Sequence, residues 1–113
     1  MTKKIRLTVL SLAALVALAI VSAAVAHRVV VIKGTNNGET LTGTIGNDRI
    51  HARGGDDTVN AGEGNDLVFG QRGNDTLNGE GGNHRMRGGV STDTLNGGEG
   101  NDVIKGGGGY DQL

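Results

Sequence analysis

A period of nine residues constrains this chain more than any other feature of its sequence. From Gly34 the sequence divides into eight units of nine residues and a ninth that lacks its last residue, with no insertion or deletion. A fixed short period is the signature of a repeat architecture, in which each unit buries its apolar side chain only against its neighbours. The eighth position of every unit is aliphatic or methionine: Leu41, Ile50, Val59, Val68, Leu77, Met86, Leu95, Ile104 and Leu113.

Each unit combines a glycine-rich segment with a short segment centred on the apolar residue. One apolar residue between polar ones, as in Thr76-Leu77-Asn78, predicts a three-residue strand whose middle side chain points inward. The six residues before it would form a turn, and glycine at positions one, two and four would permit positive φ angles there. At position four, Asn37 tolerates such a backbone, whereas Ser91 does so less readily.

Nine residues therefore make one turn and one strand, and two units make one full coil. We predict an all-β fold: a right-handed parallel β-roll, which is a β-solenoid, with two short parallel sheets and about four and a half coils. Residues 27–33 would form a short lead-in strand and residues 34–113 the roll.

The first 26 residues have the pattern of an export signal. Three basic residues precede an uncharged stretch from Leu7 to Ala26, which ends in the small-x-small pattern Ala24-Val25-Ala26. The pattern predicts a helical signal peptide over residues 1–26 that is cleaved after Ala26. The alternative is an uncleaved membrane anchor, because such a stretch can just span a bilayer. Since the basic residues all lie on its N-terminal side, either alternative predicts a secreted or surface-attached protein.

Composition excludes several classes of protein. The 22 glycines and the single Phe and single Tyr exclude an aromatic-rich globular core, and the absence of cysteine excludes disulfides and thiolate zinc sites. Beyond residue 26 the chain carries eight basic and 12 acidic residues. No run of Lys and Arg is interleaved with aromatic residues, so the sequence lacks the features of a nucleic-acid binder.

Position six is acidic in eight of the nine units. Alternate units would stack along the two edges of the roll, and stacked carboxylates repel one another unless a cation neutralises them. Glycine turns can direct carbonyl oxygens to the same place, and a hard divalent cation takes six to eight oxygen ligands. The residues at position six are Glu39, Asp57, Asp75, Asp93 and Asp111 along one edge, and Asp48, Asp66, His84 and Asp102 along the other.

The units resemble those of a known family. Gly97-Gly98-Glu99-Gly100-Asn101-Asp102-Val103-Ile104-Lys105 matches the pattern G-G-x-G-x-D-x-aliphatic-x at every defined position. This pattern is typical of the repeats-in-toxin (RTX) calcium-binding β-roll, also known as the haemolysin-type calcium-binding repeat. The resemblance covers Gly34 to Leu113. It implies that calcium ions lie between turns two units apart, bound by the position-six aspartates and by backbone carbonyls of the glycine-rich turns.

The resemblance implies about four to seven calcium ions. Four stacked pairs of aspartates are complete, at 48/66, 57/75, 75/93 and 93/111. His84 would weaken the two sites that it shares with Asp66 and Asp102, and Glu39 would make a poorer first ligand. The metal-binding residues implied are Asp48, Asp57, Asp66, Asp75, Asp93, Asp102 and Asp111.

The sequence contains no catalytic constellation. Its three histidines, His27, His51 and His84, are expected to be solvated, and the repeat itself explains the clustered carboxylates. We therefore predict a non-enzymatic module that folds on binding calcium outside the cytoplasm. It would have no nucleic-acid partner, and a membrane partner only if the signal stays uncleaved.

Two alternative functions use the same repeats. The chain could be the repeat tail of a larger secreted RTX enzyme or toxin, which the uncapped end at Leu113 favours. It could also be a cell-surface adhesin module, which an uncleaved signal would favour.

Overall fold

A computed structural model describes residues 28–113, so the predicted signal helix and His27 lie outside the described residues. The described part is all β, with about four turns of a parallel solenoid, which confirms the predicted fold class. None of its residues forms a helix that could cross a membrane. The strands are β1 Val30–Lys33, β2 Thr40–Thr42, β3 Asp48–Arg53, β4 Thr58–Glu63, β5 Leu67–Arg72, β6 Thr76–Gly81, β7 Arg85–Val90, β8 Thr94–Asn96 and β9 Val103–Gly108.

Successive strands alternate between two parallel sheets. One sheet has the order β1-β3-β5-β7-β9 and the other the order β2-β4-β6-β8. Paired residues lie two units apart throughout, so that Ile50 pairs with Val68 and Leu77 pairs with Leu95. A slip of one residue would turn the aliphatic row to the outside, and the uninterrupted period prevents such a slip.

Most strands are longer than the three residues predicted. Six of the nine continue through position nine into the first positions of the next unit, and Gly62 of β4 pairs with Glu80 of β6. The backbone groups in the first half of the predicted turn thereby find partners in the next coil. Only β2 and β8 keep the predicted length, so the true turn is confined to the middle of the unit.

The aliphatic position eight forms the core, as predicted. Its residues from Leu41 to Leu95 are at most 5% exposed, and Ala52 and Ala61 join them. Ile104 is only partly buried, and Leu113 is 72% exposed.

Glycine has two different roles in the turns. From the third unit on, positions two and four adopt positive φ angles, including Ser91 at +85°, whereas Asn37 and Gly46 in the first two units do not. At Gly82, with φ of +128°, a Cβ atom would overlap the carbonyl oxygen of Gly64 in the preceding coil. The prediction was wrong for position one, where no glycine has a positive φ. At Gly88 a carboxylate and a carbonyl oxygen come too close for a side chain, whereas Ala52 and Ala61 occupy position one in two other units.

Candidate metal centre

The position-six side chains point into the two edges of the solenoid and form ladders. One oxygen of each carboxylate accepts a hydrogen bond from the position-six N–H of the preceding coil. The N–H of Asp57 donates to Asp75 Oδ1 over 3.0 Å, and the N–H of Asp75 donates to Asp93 Oδ1 over 2.9 Å. On the other edge, the N–H of Asp48 donates to Asp66 Oδ1 over 2.8 Å. Each ladder thus holds its carboxylates in fixed positions one coil apart.

A second ladder runs beside the first, and the sequence analysis missed its role. The side-chain oxygen of Asn65 at position five accepts a hydrogen bond from the N–H of Asn83 in the following coil, over 2.9 Å. The same bond joins Asn47 to Asn65 and Asn83 to Asn101. The side-chain oxygen at position five therefore accepts from the following coil, whereas the side-chain oxygen at position six accepts from the preceding coil. The recurrence of Asn at position five was the available signal.

The second oxygen of the inner carboxylates has no partner. Oδ2 of Asp57, Asp66, Asp75 and Asp93 is buried without a hydrogen bond, and each of these residues is at most 2% exposed. Within residues 28–113, no Lys or Arg forms an ion pair with an aspartate. A buried charged oxygen without a partner is costly, so these four atoms indicate a missing positive ligand.

Burial also changes the acidity of these groups. Burial raises the pKa of Asp66 and of Asp75 to about 6, and backbone hydrogen bonds partly offset this effect. The pKa values of Asp57 and Asp93 are raised for the same reason. Ionisation of these carboxylates in the folded protein therefore has an energetic cost that a bound cation would lower.

Two of the orphaned oxygens face position-one glycines, whereas Ala52 and Ala61 occupy position one in the units of Asp57 and Asp66. A Cβ atom at Gly70 would overlap Asp75 Oδ2 and lie 2.7 Å from the carbonyl oxygen of Gly88. A Cβ atom at Gly88 would likewise overlap Asp93 Oδ2 and lie 2.7 Å from the carbonyl oxygen of Gly106. A carboxylate oxygen and a carbonyl oxygen thus converge on one small space, which is the donor set that calcium prefers. Nowhere in the described part do three His, Cys, Asp or Glu side chains cluster around one point. Backbone carbonyls would therefore supply most of the ligands.

The first two turns are built differently. Thr44 occupies position two, and its N–H donates to Asp48 Oδ2 over 2.5 Å while its hydroxyl donates to Asp48 Oδ1 over 3.0 Å. In the first unit the N–H of Thr35 likewise donates to a Glu39 carboxylate oxygen. Glu39 and Asp48 are the first carboxylates of their rows. A threonine of the same unit thus satisfies each of them without a cation.

His84 is not solvated as expected, because it takes the place of an aspartate inside the edge and is 1% exposed. Its Nδ1 lies 3.3 Å from the backbone N of Asp66 and 3.3 Å from Asp66 Oδ2. Since Nδ1 accepts the Asp66 N–H, it cannot also donate to Oδ2. Its Nε2 is buried without a partner. His51 is half-buried on the outer face, where its ring stacks on Phe69.

The structure gathers the predicted metal-binding residues into two rows. Asp57, Asp75, Asp93 and Asp111 lie along one edge, connected by hydrogen bonds between successive coils. Asp48, Asp66 and Asp102 lie along the other edge, with His84 between the last two. Asp102 and Asp111 belong to the last units and are half-buried.

Comparison with known proteins identifies the repeat. The model of the RTX calcium-binding nonapeptide repeat matches in four copies, at residues 33–68, 54–83, 61–90 and 85–113. No curated protein and no solved structure matches this chain. The four copies together cover residues 33–113, which contain strands β2 to β9 and all nine units of the repeat. The chain therefore belongs to the family of RTX calcium-binding nonapeptide-repeat proteins.

Proposed function

We propose that this protein is an exported, non-enzymatic module that folds when it binds calcium. The observation that carries the proposal is the set of four buried Oδ2 atoms without a partner. A calcium ion beside each would neutralise a carboxylate and take backbone carbonyls as its further ligands.

The ligands proposed are the seven aspartates at position six. Asp57, Asp66, Asp75 and Asp93 would hold the best-enclosed ions, because their second oxygens have no other partner. Asp102 and Asp111 would complete sites at the last coils. Asp48 would contribute least, because Thr44 already binds both of its oxygens. About four ions would bind well, and seven is the upper number for the two rows.

The free energy by which bound calcium stabilises the folded state explains why calcium would control folding. An ion that binds only the folded state at ten times its Kd stabilises that state by about 1.4 kcal/mol. Four such ions contribute about 6 kcal/mol, which is comparable to the whole stability of a marginally stable domain. Extracellular calcium sites bind at about 10⁻⁴–10⁻³ M. The chain would therefore stay unfolded in the cytoplasm and fold after export.

A calcium titration of the full chain tests the proposal. Circular dichroism should show little strand in excess chelator and a cooperative gain of strand in millimolar calcium, and isothermal titration should count about four ions. Magnesium should substitute poorly, because it demands a tighter octahedral geometry and keeps its waters. A strand-rich spectrum in chelator that added calcium leaves unchanged would falsify the mechanism.

The proposal also includes the organisation of the chain. Residues 1–26 would be the signal peptide, residues 27–33 the lead-in and residues 34–113 the roll, wound to the right as parallel crossover connections almost always are. N-terminal sequencing of exported protein should begin at His27. A protein that still began at Met1 would contradict cleavage and support a membrane anchor.

A further inference from the structure

The two outer faces of the solenoid carry opposite kinds of side chain. The outer face of the five-stranded sheet, here named the cationic face, contains seven of the eight Lys and Arg residues between 28 and 113. All seven are exposed, and the only acidic residue in these strands, Asp48, points inward. The seven are Lys33, Arg49, Arg53, Arg72, Arg85, Arg87 and Lys105.

The four-stranded sheet has none of these charges. Its strands contain no Lys or Arg, and their outward positions are threonine and asparagine, with Glu63 and Glu80 near the strand ends. Asn78 donates to Asn60 across this face over 3.0 Å. The winding of the chain therefore separates positive charge from neutral and acidic groups, although the cations are scattered along the sequence.

Apolar and aromatic side chains lie between the cations. Val31 and Val103 are 53% and 49% exposed, and Leu67 and Phe69 are half-buried. Phe69 stacks on His51, with ring centroids 4.9 Å apart and planes 15° apart. Beside Phe69 lies a shallow groove of about 300 Å³, lined by Leu67, Phe69, Arg85, Met86, Arg87, Val103 and Lys105.

The positive charge of the face affects the one histidine on it. Burial lowers the pKa of His51, and the neighbouring cations Arg49, Lys33 and Arg53 lower it further. Across the face, cations occur on all five strands, near the start of β7 and at the end of β5. With about 4.8 Å between strands, the array is about 20 Å wide and about as long.

We propose that the cationic face docks on the surface of an anionic phospholipid bilayer. The cations form a two-dimensional array, which suits a charged plane, whereas a linear polyanion would use one row of it. The exposed Val31 and Val103 and the half-buried Leu67 and Phe69 suit the boundary between headgroups and acyl chains, where long basic side chains can extend around them to the phosphates. This surface is separate from the calcium edges, and the inference does not rest on the proposed function.

Vesicle binding of the full chain tests this docking. The partition coefficient is measured on vesicles of equimolar phosphatidylcholine and phosphatidylglycerol and on phosphatidylcholine alone, with the same millimolar calcium throughout. The ratio of the two coefficients is the readout. All variants keep residues 1–26, so any contribution of that segment is common to them. Each basic residue near an anionic surface contributes about a fivefold factor. Arg85→Ser with Arg87→Ser should therefore lower the ratio about 25-fold.

The matched control changes the net charge by the same amount on the opposite face. Thr42→Asp with Asn96→Asp should leave the ratio within about twofold of the unchanged protein, because both side chains are exposed on the four-stranded sheet. A second pair on the cationic face, Lys33→Ser with Arg49→Ser, should reproduce the loss. High salt should lower the ratio for the unchanged protein.

Three results would overturn the proposal. The first is equal partition of the unchanged protein on neutral and anionic vesicles. The second is an equal loss of ratio in the control pair, which would reflect net charge alone. The third is tight binding of a soluble single-stranded oligonucleotide or acidic polysaccharide with no preference for anionic vesicles, which would assign the face to a linear polyanion. Failure of the chain to gain strand in calcium would contradict the proposed function instead, and circular dichroism of each sample separates the two.

Discussion

The first two turns and the later turns share one period but satisfy their carboxylates in different ways. In the first two, Thr35 and Thr44 donate to the carboxylates of Glu39 and Asp48. In the later turns position two has a positive φ angle, and the corresponding Oδ2 atoms of Asp57 and Asp75 are buried without a partner. The first two turns therefore offer local donors to their carboxylates, whereas the inner later turns leave one buried carboxylate oxygen unpaired.

The difference follows from position in the stack. One oxygen of an inner carboxylate accepts a hydrogen bond from the preceding coil, and the other oxygen has no hydrogen bond. Glu39 and Asp48 are the first of their rows, and a threonine closes each turn locally. We infer that the start of the solenoid can order by itself, whereas each later coil depends on a cation.

The largest effect is expected from a glycine of the later turns. Gly82→Ala should destabilise the calcium-bound protein by about 3 kcal/mol or more, because φ is +128° there and the added Cβ would overlap the Gly64 carbonyl oxygen. Gly108→Ala is the control, since no atom lies within 4 Å of its added Cβ. Urea unfolding in calcium measures both. Equal stabilities for the two variants would contradict the turn geometry.

The next test compares one carboxylate from each kind of turn. Asp75→Asn should weaken calcium binding about tenfold or more at the two sites that it would share with Asp57 and Asp93. Asp48→Asn should change calcium binding far less, because Thr44 binds both oxygens of Asp48. Isothermal titration of the two variants measures the difference. Comparable losses would show that the threonine turns also depend on an ion.

Acid should act in opposite directions on the calcium-free and calcium-bound proteins. The pKa of Asp66 and Asp75 is about 6 in the folded state, whereas an unfolded aspartate titrates near about 3.9. The folded state therefore binds more protons between about pH 4 and 6, and its free energy of unfolding falls as pH rises through this window. Protonation should stabilise the fold without calcium and compete with calcium when it is present.

The strand content in calcium-free buffer at both ends of this window, measured by circular dichroism, and calcium titrations at the same pH values measure both effects. The double variant Asp66→Asn with Asp75→Asn should lose most of the pH dependence without calcium. A calcium-free fold that gains stability as pH rises would contradict the assigned cause.

His84 interrupts one of the two rows of the later turns. His84→Asp should add one or two calcium ions, because it would complete the pairs with Asp66 and Asp102. Asp75→Ala should reduce binding more than His84→Ala does. An unchanged stoichiometry and affinity for His84→Asp in isothermal titration would contradict the stacking of these three residues around ions.

The smallest effect concerns the threonine turns. Thr44→Val should destabilise the protein by about 1 kcal/mol, because it removes the hydroxyl that donates to Asp48 and accepts from the N–H of Gly46. Thr94→Val serves as the control, since the Thr94 hydroxyl makes no hydrogen bond to any residue between 28 and 113. Thermal unfolding in calcium compares the two. An equal loss of thermal stability in the two variants would contradict a role of the Thr44 hydroxyl in stabilising the turn.

The nine-residue period by itself determined the architecture. It predicted the parallel strands, the coil of two units and the inward row from Leu41 to Leu95, because one apolar residue per unit can be buried only by stacking. The period also predicted two rows of position-six residues, because residues two units apart in the sequence stack on one another along the same edge.

Tertiary structure decided what each repeated position does. Only the stacked coils show that one aspartate oxygen is used by the preceding coil and the other is free, or that Thr44 donates to both oxygens of Asp48. They bury His84 and place Arg85 beside Phe69 on one face, although sixteen residues separate the two along the chain. A sequence specifies only how far apart residues are along the chain. Hydrogen bonds, burial and charge depend on which atoms of other coils come within a few ångströms.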